Sequence, residues 1–117
     1  MRVDLKTIEQ SLTNEEIINL VQELGADRYE EKNEYIIFPT ICHNIEASEA
    51  QMKLYYYKKN KKFHCYTGCG DNFNIFELFK RRYELLNLKY DFYNDIVLKI
   101  AGNKSLFKLS EGFGVKY

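Results

Sequence analysis

Only three cysteines and two histidines occur among these 117 residues, and an odd cysteine count excludes a complete disulfide framework, leaving metal binding, catalysis or simple burial for the thiols. No apolar run approaches the roughly 20 residues that a membrane helix requires, so a soluble chain with no membrane partner is expected. The opening residues Met1-Arg2-Val3-Asp4-Leu5-Lys6 lack the apolar stretch of a secretory signal, which predicts a cytoplasmic location. There is no Gly-x-x-x-x-Gly-Lys phosphate loop and no evident Ser/His/Asp set, so catalysis by this chain alone is not expected. Disorder is excluded in turn by 45% hydrophobic and 15% aromatic residues. A chain of this length buries about two-thirds of the surface its unfolded form exposes. One modest core is therefore expected, assisted by a staple such as a metal.

The few soft ligands are not scattered. Cys42, His43, His64, Cys65 and Cys69 share one short window, and no other Cys or His lies outside it. The charges are also divided, although Lys+Arg 17 balances Asp+Glu 17. Residues 1–34 carry nine acids against four bases, a net −5, and the remainder carries +5. Between Gln51 and Cys69 there is no acid at all, while Lys53, Lys58, Lys59, Lys61 and Lys62 sit among Tyr55, Tyr56, Tyr57, Phe63 and Tyr66. A mean charge of zero thus says little about any one face.

Asp4 can cap a short first turn, and Thr13-Asn14-Glu15-Glu16 matches a capping box. Ile17, Leu20, Val21 and Leu24 then recur at helical spacing before Gly25, predicting a helix over 14–24. The β-branched and aromatic run Tyr35-Ile36-Ile37-Phe38, stopped by Pro39, reads as a strand. Residues 52–58 and 61–66 read as two more, joined by a tight turn at Lys59-Asn60, where Asn tolerates positive φ. The polar loop 40–50 between the first two strands carries Cys42 and His43. Asp71-Asn72-Phe73-Asn74 opens a helix with Phe73, Phe76, Phe79, Tyr83 and Leu86 on one stripe and Lys80, Arg81 and Arg82 mostly off it. A last helix is expected over 91–101. The fold class is α+β: a small ribbon with a three-stranded antiparallel sheet flanked by helices, as one domain over 1–102, with 103–117 an extension or the start of a linker.

Two ligand-bearing loops with a hairpin between them form the skeleton of a zinc ribbon, and a structural Zn²⁺ site takes four N or S ligands in a tetrahedron. Cys65 and Cys69, with Gly68 and Gly70 beside the latter, supply one pair. Cys42 supplies the third thiol. His64 and Cys65 are neighbours on a strand and point to opposite faces, which favours His43 as the fourth ligand and makes Cys65 a poor nucleophile for a His64 base. The alternative is a buried thiol cluster with satisfied histidines. The hairpin offers positive charge for phosphates and flat rings for bases, the two ingredients of single-strand binding. Lys53, Lys58, Lys59, Lys61 and Lys62, with Arg81 and Arg82 in support, would meet the backbone, and Tyr55 and Tyr57 would stack on bases. Against this stands the plainer reading in which one set of tyrosines is core, the lysines are solvated and 80–82 is an exposed helical face.

The stretch Phe63-His64-Cys65-Tyr66-Thr67-Gly68-Cys69-Gly70, followed by Asp71-Asn72-Phe73-Asn74-Ile75-Phe76-Glu77-Leu78, resembles the second half of the zinc-binding domain of bacterial and phage DNA primases. Residues 35–43 resemble its first strand and knuckle, and 87–102 its closing helix. The first knuckle departs from the family's Cys-Pro-x-His, since Thr40 stands three places before His43 and Cys42 beside it. The second pair is one residue longer than Cys-x-x-Cys. The resemblance implies a phage or mobile-element module, in a bacterial host cell, that holds Zn²⁺ through Cys42, His43, Cys65 and Cys69 and contacts single-stranded DNA template where primer synthesis begins. It also implies a polymerising domain outside this chain, and a replication helicase or that primase catalytic domain as protein partner. The alternative is a stand-alone phage or mobile-element protein that uses the same fold to bind and inhibit or regulate an unidentified protein target.

Overall fold

Thr13 opens the main N-terminal helix by the reciprocal bonds its sequence announces: its hydroxyl accepts from the Glu16 amide at 3.1 Å, and its own amide donates to the Glu16 carboxylate at 2.8 Å. In the computed structural model, which describes residues 4–102, this helix is α2, Asn14–Glu23, and a shorter α1, Leu5–Ser11, precedes it with Asp4 as its cap. Leu24 and Gly25 end α2, Gly25 at φ +125°. The expected extension 103–117 lies outside the described residues.

The sheet has five antiparallel strands in sequence order, not the expected three. They are β1 (Glu30–Glu31), β2 (Tyr35–Phe38), β3 (Leu54–Tyr57), β4 (Lys62–Cys65) and β5 (Gly70–Phe73). The two additional strands are edges with little sequence signal. β1 is two glutamates long, and β5 reads Gly-Asp-Asn-Phe, in which only the Phe favours a strand; the two gain their conformation by pairing with β2 and β4 respectively. The third helix accordingly does not start at Asp71. Asn74 caps it, exchanging bonds of 2.9 Å with Glu77, and α3 runs Ile75–Leu85. The hairpin turn also differs: the positive φ falls on Lys61 (+60°), whose amide closes onto the Tyr57 carbonyl at 2.8 Å.

Register decides which side chains go in. Ile36, Tyr56, Phe63 and Phe73 form one cross-strand row and Phe38, Leu54 and Cys65 the next, all buried. They join α2 (Ile17, Leu20, Val21), α3 (Phe76, Leu78, Phe79) and the C-terminal residues Ile96, Val97, Ile100 and Ala101 in one core. Tyr56 is therefore core, whereas Tyr55 and Tyr57 alternate to the opposite face. The helix expected over 91–101 begins instead as a π-helical turn, Phe92–Val97, capped by Asp91, and becomes α4 only over Leu98–Ala101. Arg82, expected off the apolar stripe, is 5% exposed. No helix among the described residues is long and apolar enough to cross a membrane.

Because α3 carries the side chains that close the next layer of the structure, its cap is the place to test its contribution. Asn74→Ala is expected to lower stability by about 1 kcal/mol and the melting temperature by ~4–8 °C, read by thermal unfolding followed by circular dichroism; an unchanged melting temperature would refute the capping role.

Candidate metal centre and outer sheet face

β2 ends at Phe38, and the chain turns at once: the Ile41 amide reaches the Pro39 carbonyl at 2.7 Å, and the amides of His43 and Asn44 both return to the Thr40 carbonyl. This first knuckle presents Cys42 and His43. Cys65, the last residue of β4, lies on the inner face of the sheet, and the turn through Gly68 (φ +146°) brings Cys69 back beside it. An L side chain would be strained at that φ, so glycine is required there.

The four ligand atoms lie within 4.8 Å of one another. His43 Nδ1 is 3.1 Å from Cys69 Sγ, 3.5 Å from Cys42 Sγ and 3.6 Å from Cys65 Sγ, and the sulfurs of Cys42 and Cys69 are 3.1 Å apart. A zinc tetrahedron with ordinary Zn–S and Zn–N bonds has edges of about 3.5–3.8 Å, so the donor set fits a metal ion of that kind with small adjustments. The geometry also selects the ring atom: Nδ1 faces the thiols, while Nε2 lies 3.5 Å from Thr67 Oγ1, the outward hydrogen-bonding position that ligating imidazoles use to fix their orientation.

The thiols differ in their surroundings. Burial, reinforced by the neighbouring sulfurs, pushes the Cys42 thiol far up. Cys69 is also raised, chiefly by burial. For Cys65 burial acts the same way, but backbone amides of Cys69 and Thr67 donate to its sulfur and bring it below the usual thiol range. Two amides directed at one sulfur are a feature of a loop shaped to hold a thiolate.

His64 takes no part. Its register partner is Tyr55, and its ring rests on Tyr66 with centroids 4.0 Å apart on the outer face. Thr40, three places before His43, is buried and its hydroxyl donates to Asn44 Oδ1 at 2.7 Å.

Around the centre are arginines whose role there residue order alone did not mark. Arg82 donates to the carbonyls of Leu24, Ile41, Asn44 and Ile45 at 2.7–3.1 Å. Arg81 donates to the Cys69 carbonyl at 3.0 Å and lies over the Phe73 ring at 4.1 Å. Arg28 holds the far part of the loop through the carbonyls of Ala47 and Ala50. The notion of Arg81 and Arg82 as backbone-contacting cations is thereby corrected for Arg82, whose guanidinium is buried among carbonyls. Such residues carry no periodic signal because their partners are main-chain oxygens of any sequence.

The expected contact residues divide into two sets. Lys58 Nζ bonds Glu31 at 2.9 Å and the Lys32 carbonyl, Lys61 Nζ bonds the Leu12 carbonyl at 3.1 Å, and Lys62 Nζ pairs at 2.9 Å with the buried Glu9. These three lysines tie the hairpin to the acidic N-terminal segment. Lys53 and Lys59 are exposed and form no ion pair among the described residues. On the outer face Tyr55 packs against Tyr35, Tyr57 and Tyr66 at centroid distances of 5.0–6.1 Å. The Tyr57 and Tyr66 hydroxyls are hydrogen-bonded, which pushes the Tyr57 hydroxyl up to about 12. Lys53, Tyr55 and Tyr66 line a shallow hollow on this face.

A Bacillus subtilis (strain 168) protein described as "SPbeta prophage-derived uncharacterized protein YorJ" is 40% identical over 105 residues, which cover 87% of this chain and 27% of that protein. The chain thus spans about a quarter of the length of this relative. No family model matches, and no solved structure matches.

Purified protein is expected to hold one zinc per chain, with chelation lowering its melting temperature because site and fold are linked. His43→Ala should lose the metal and His64→Ala should keep it, as measured by zinc content after desalting. Since bound thiolates and imidazole must be deprotonated, protons compete with the ion and affinity should fall as pH is lowered; an affinity independent of pH would argue against thiolate ligation.

Proposed function

We propose that this chain is a zinc-binding module of a phage or mobile-element DNA primase that contacts single-stranded template through the outer face of its sheet, the polymerising chemistry residing elsewhere. The observation that carries this reading is the face itself. Tyr35, Tyr55, Tyr57 and Tyr66 present rings on the side of the sheet away from the helices, with exposed Lys53 at the rim. Rings that stack on bases and a cation for phosphate are what sequence-tolerant single-strand binding needs.

The metal-ligand cluster supports the same reading, since Zn²⁺ at Cys42, His43, Cys65 and Cys69 would hold the end of the sheet where Tyr66 emerges. So does a prophage-derived relative, of which this chain matches about a quarter. A replication helicase or a primase catalytic domain is then the protein partner that fits.

A second reading has its own observation. Leu88, Phe92 and Tyr93 are 50%, 38% and 43% exposed around the π-helical turn, and exposed aromatic and aliphatic groups of this kind are used in protein interfaces. This favours a protein that binds and regulates a partner.

Binding of a labelled oligo-dT by fluorescence anisotropy separates the two. Affinity should fall as salt rises, and Tyr55→Ala with Tyr66→Ala should cost about 1–3 kcal/mol for each base that loses its stack. Lys53→Glu should flatten the salt dependence. Substitutions at Lys58, Lys61 or Lys62 remove contacts between hairpin and N-terminal segment and so report on folding. Absence of any single-strand binding by the zinc-loaded chain would reject the template-contact reading.

A further inference from the structure

Consecutive residues of α3 reach the two knuckles separately. Arg82 donates to carbonyls on both sides of the Cys42-His43 pair: Ile41 at 3.1 Å before it, and Asn44 at 2.7 Å and Ile45 at 2.9 Å after it. Its Nε donates to Leu24 at 2.8 Å, at the end of α2. Arg81 donates to the carbonyl of Cys69 itself. Among the described residues no carboxylate lies within ion-pair distance of Arg82, so a nearly fully buried cation is held by main-chain oxygens alone. Burial lowers its pKa, and the nearby Glu46 and Cys42 act in the opposite direction. Removing a cation from water without an anionic partner is costly unless something near it is negative.

The space around Arg82 is also reserved for it. A Cβ at Gly25 would stand 2.7 Å from Arg82 Nη2, and Gly25 has φ +125°. Glycine at this position both ends α2 and admits the guanidinium.

We propose that Arg82, with Arg81, is a positioning pair for the metal centre: α3 grips one knuckle with each arginine and holds the four ligands in place before the ion arrives. This inference rests on the metal reading of Cys42, His43, Cys65 and Cys69. It adds a negative charge to that of Glu46 as well, because three thiolates and a neutral imidazole around a dication leave a net charge of −1 at the knuckle that Arg82 grips. Guanidinium suits the task better than ammonium, since its planar fork reaches several carbonyls at once while staying protonated.

The test uses the full chain, with Zn²⁺ affinity measured by chelator competition and Co²⁺ as a spectroscopic probe of ligand geometry. Arg82→Lys and Arg81→Gln are compared with Asn74→Ala, which weakens α3 without touching either knuckle. At a temperature where circular dichroism shows each variant folded, Arg82→Lys should weaken Zn²⁺ binding about 10–100-fold, the range typical of outer-shell partners, and alter the Co²⁺ absorption bands. Arg81→Gln should do so to a smaller extent, and Asn74→Ala should leave the Co²⁺ spectrum unchanged. Should Arg82→Lys not fold, the wild-type chain provides the second measurement by NMR: the Arg82 guanidinium protons should exchange with solvent at least about tenfold faster once zinc is removed, because coupling between two sites is reciprocal.

Wild-type Zn²⁺ affinity and Co²⁺ spectrum in both arginine variants, or guanidinium exchange indifferent to zinc, would overturn the positioning role while leaving the metal centre intact. Failure of the wild-type chain to bind either metal would overturn the metal centre, and this inference with it.

Discussion

Four donor atoms within 4.8 Å of one another have to come from two loops that a hairpin separates, and this requirement organises much of what surrounds them. It needs β4 to end with its cysteine on the inner face, the next turn to pass through a left-handed glycine, and the loop after β2 to fold back on Thr40 within a few residues. Each depends on hydrogen bonds that bring polar main chain close to the core. A buried loop must satisfy its carbonyls, and here the guanidinium of Arg82 satisfies three of them in the first knuckle.

The division of charge along the chain has a structural resolution. An acidic N-terminal segment and a basic hairpin suggest a cationic face awaiting an external anion. In the fold, Lys58 and Lys62 find carboxylates in that segment, Glu31 and the buried Glu9, and Lys61 finds a carbonyl at its first helix. Much of the positive charge thus fastens the hairpin to the first helix, through Lys61 and Lys62, and to the edge strand β1, through Lys58. What remains outward is aromatic, with Lys53 and Lys59 exposed. This shifts the basis of the proposed nucleic-acid contact from charge towards stacking, because the outer face is a platform of rings more than an electrostatic groove.

Much of the architecture could be read from residue order where the signal was local. The capping box at Thr13, the strand stopped by Pro39, the hairpin, and the opposite orientations of His64 and Cys65 each follow from a few neighbouring side chains and a period of two or 3.6. β1 and β5 did not, because two glutamates and a Gly-Asp-Asn-Phe run become strands only when a partner supplies their hydrogen bonds. The π-helical turn at Phe92–Val97 was equally silent, since its apolar residues fit an ordinary helix as well.

The sequence by itself determined that the soft ligands cluster, that glycine stands beside Cys69, that the tyrosines of β3 alternate, and that a capped amphipathic helix follows the second knuckle. These are properties of spacing and backbone preference, which act over a few residues. Tertiary structure alone decided that His43 turns Nδ1 towards three thiols, that Arg82 is buried against two distant loops, and that three of the hairpin lysines bind within the chain. Those outcomes depend on groups up to 58 positions apart, and main-chain carbonyls, which accept many of these bonds, are identical at every residue and leave no mark in the sequence.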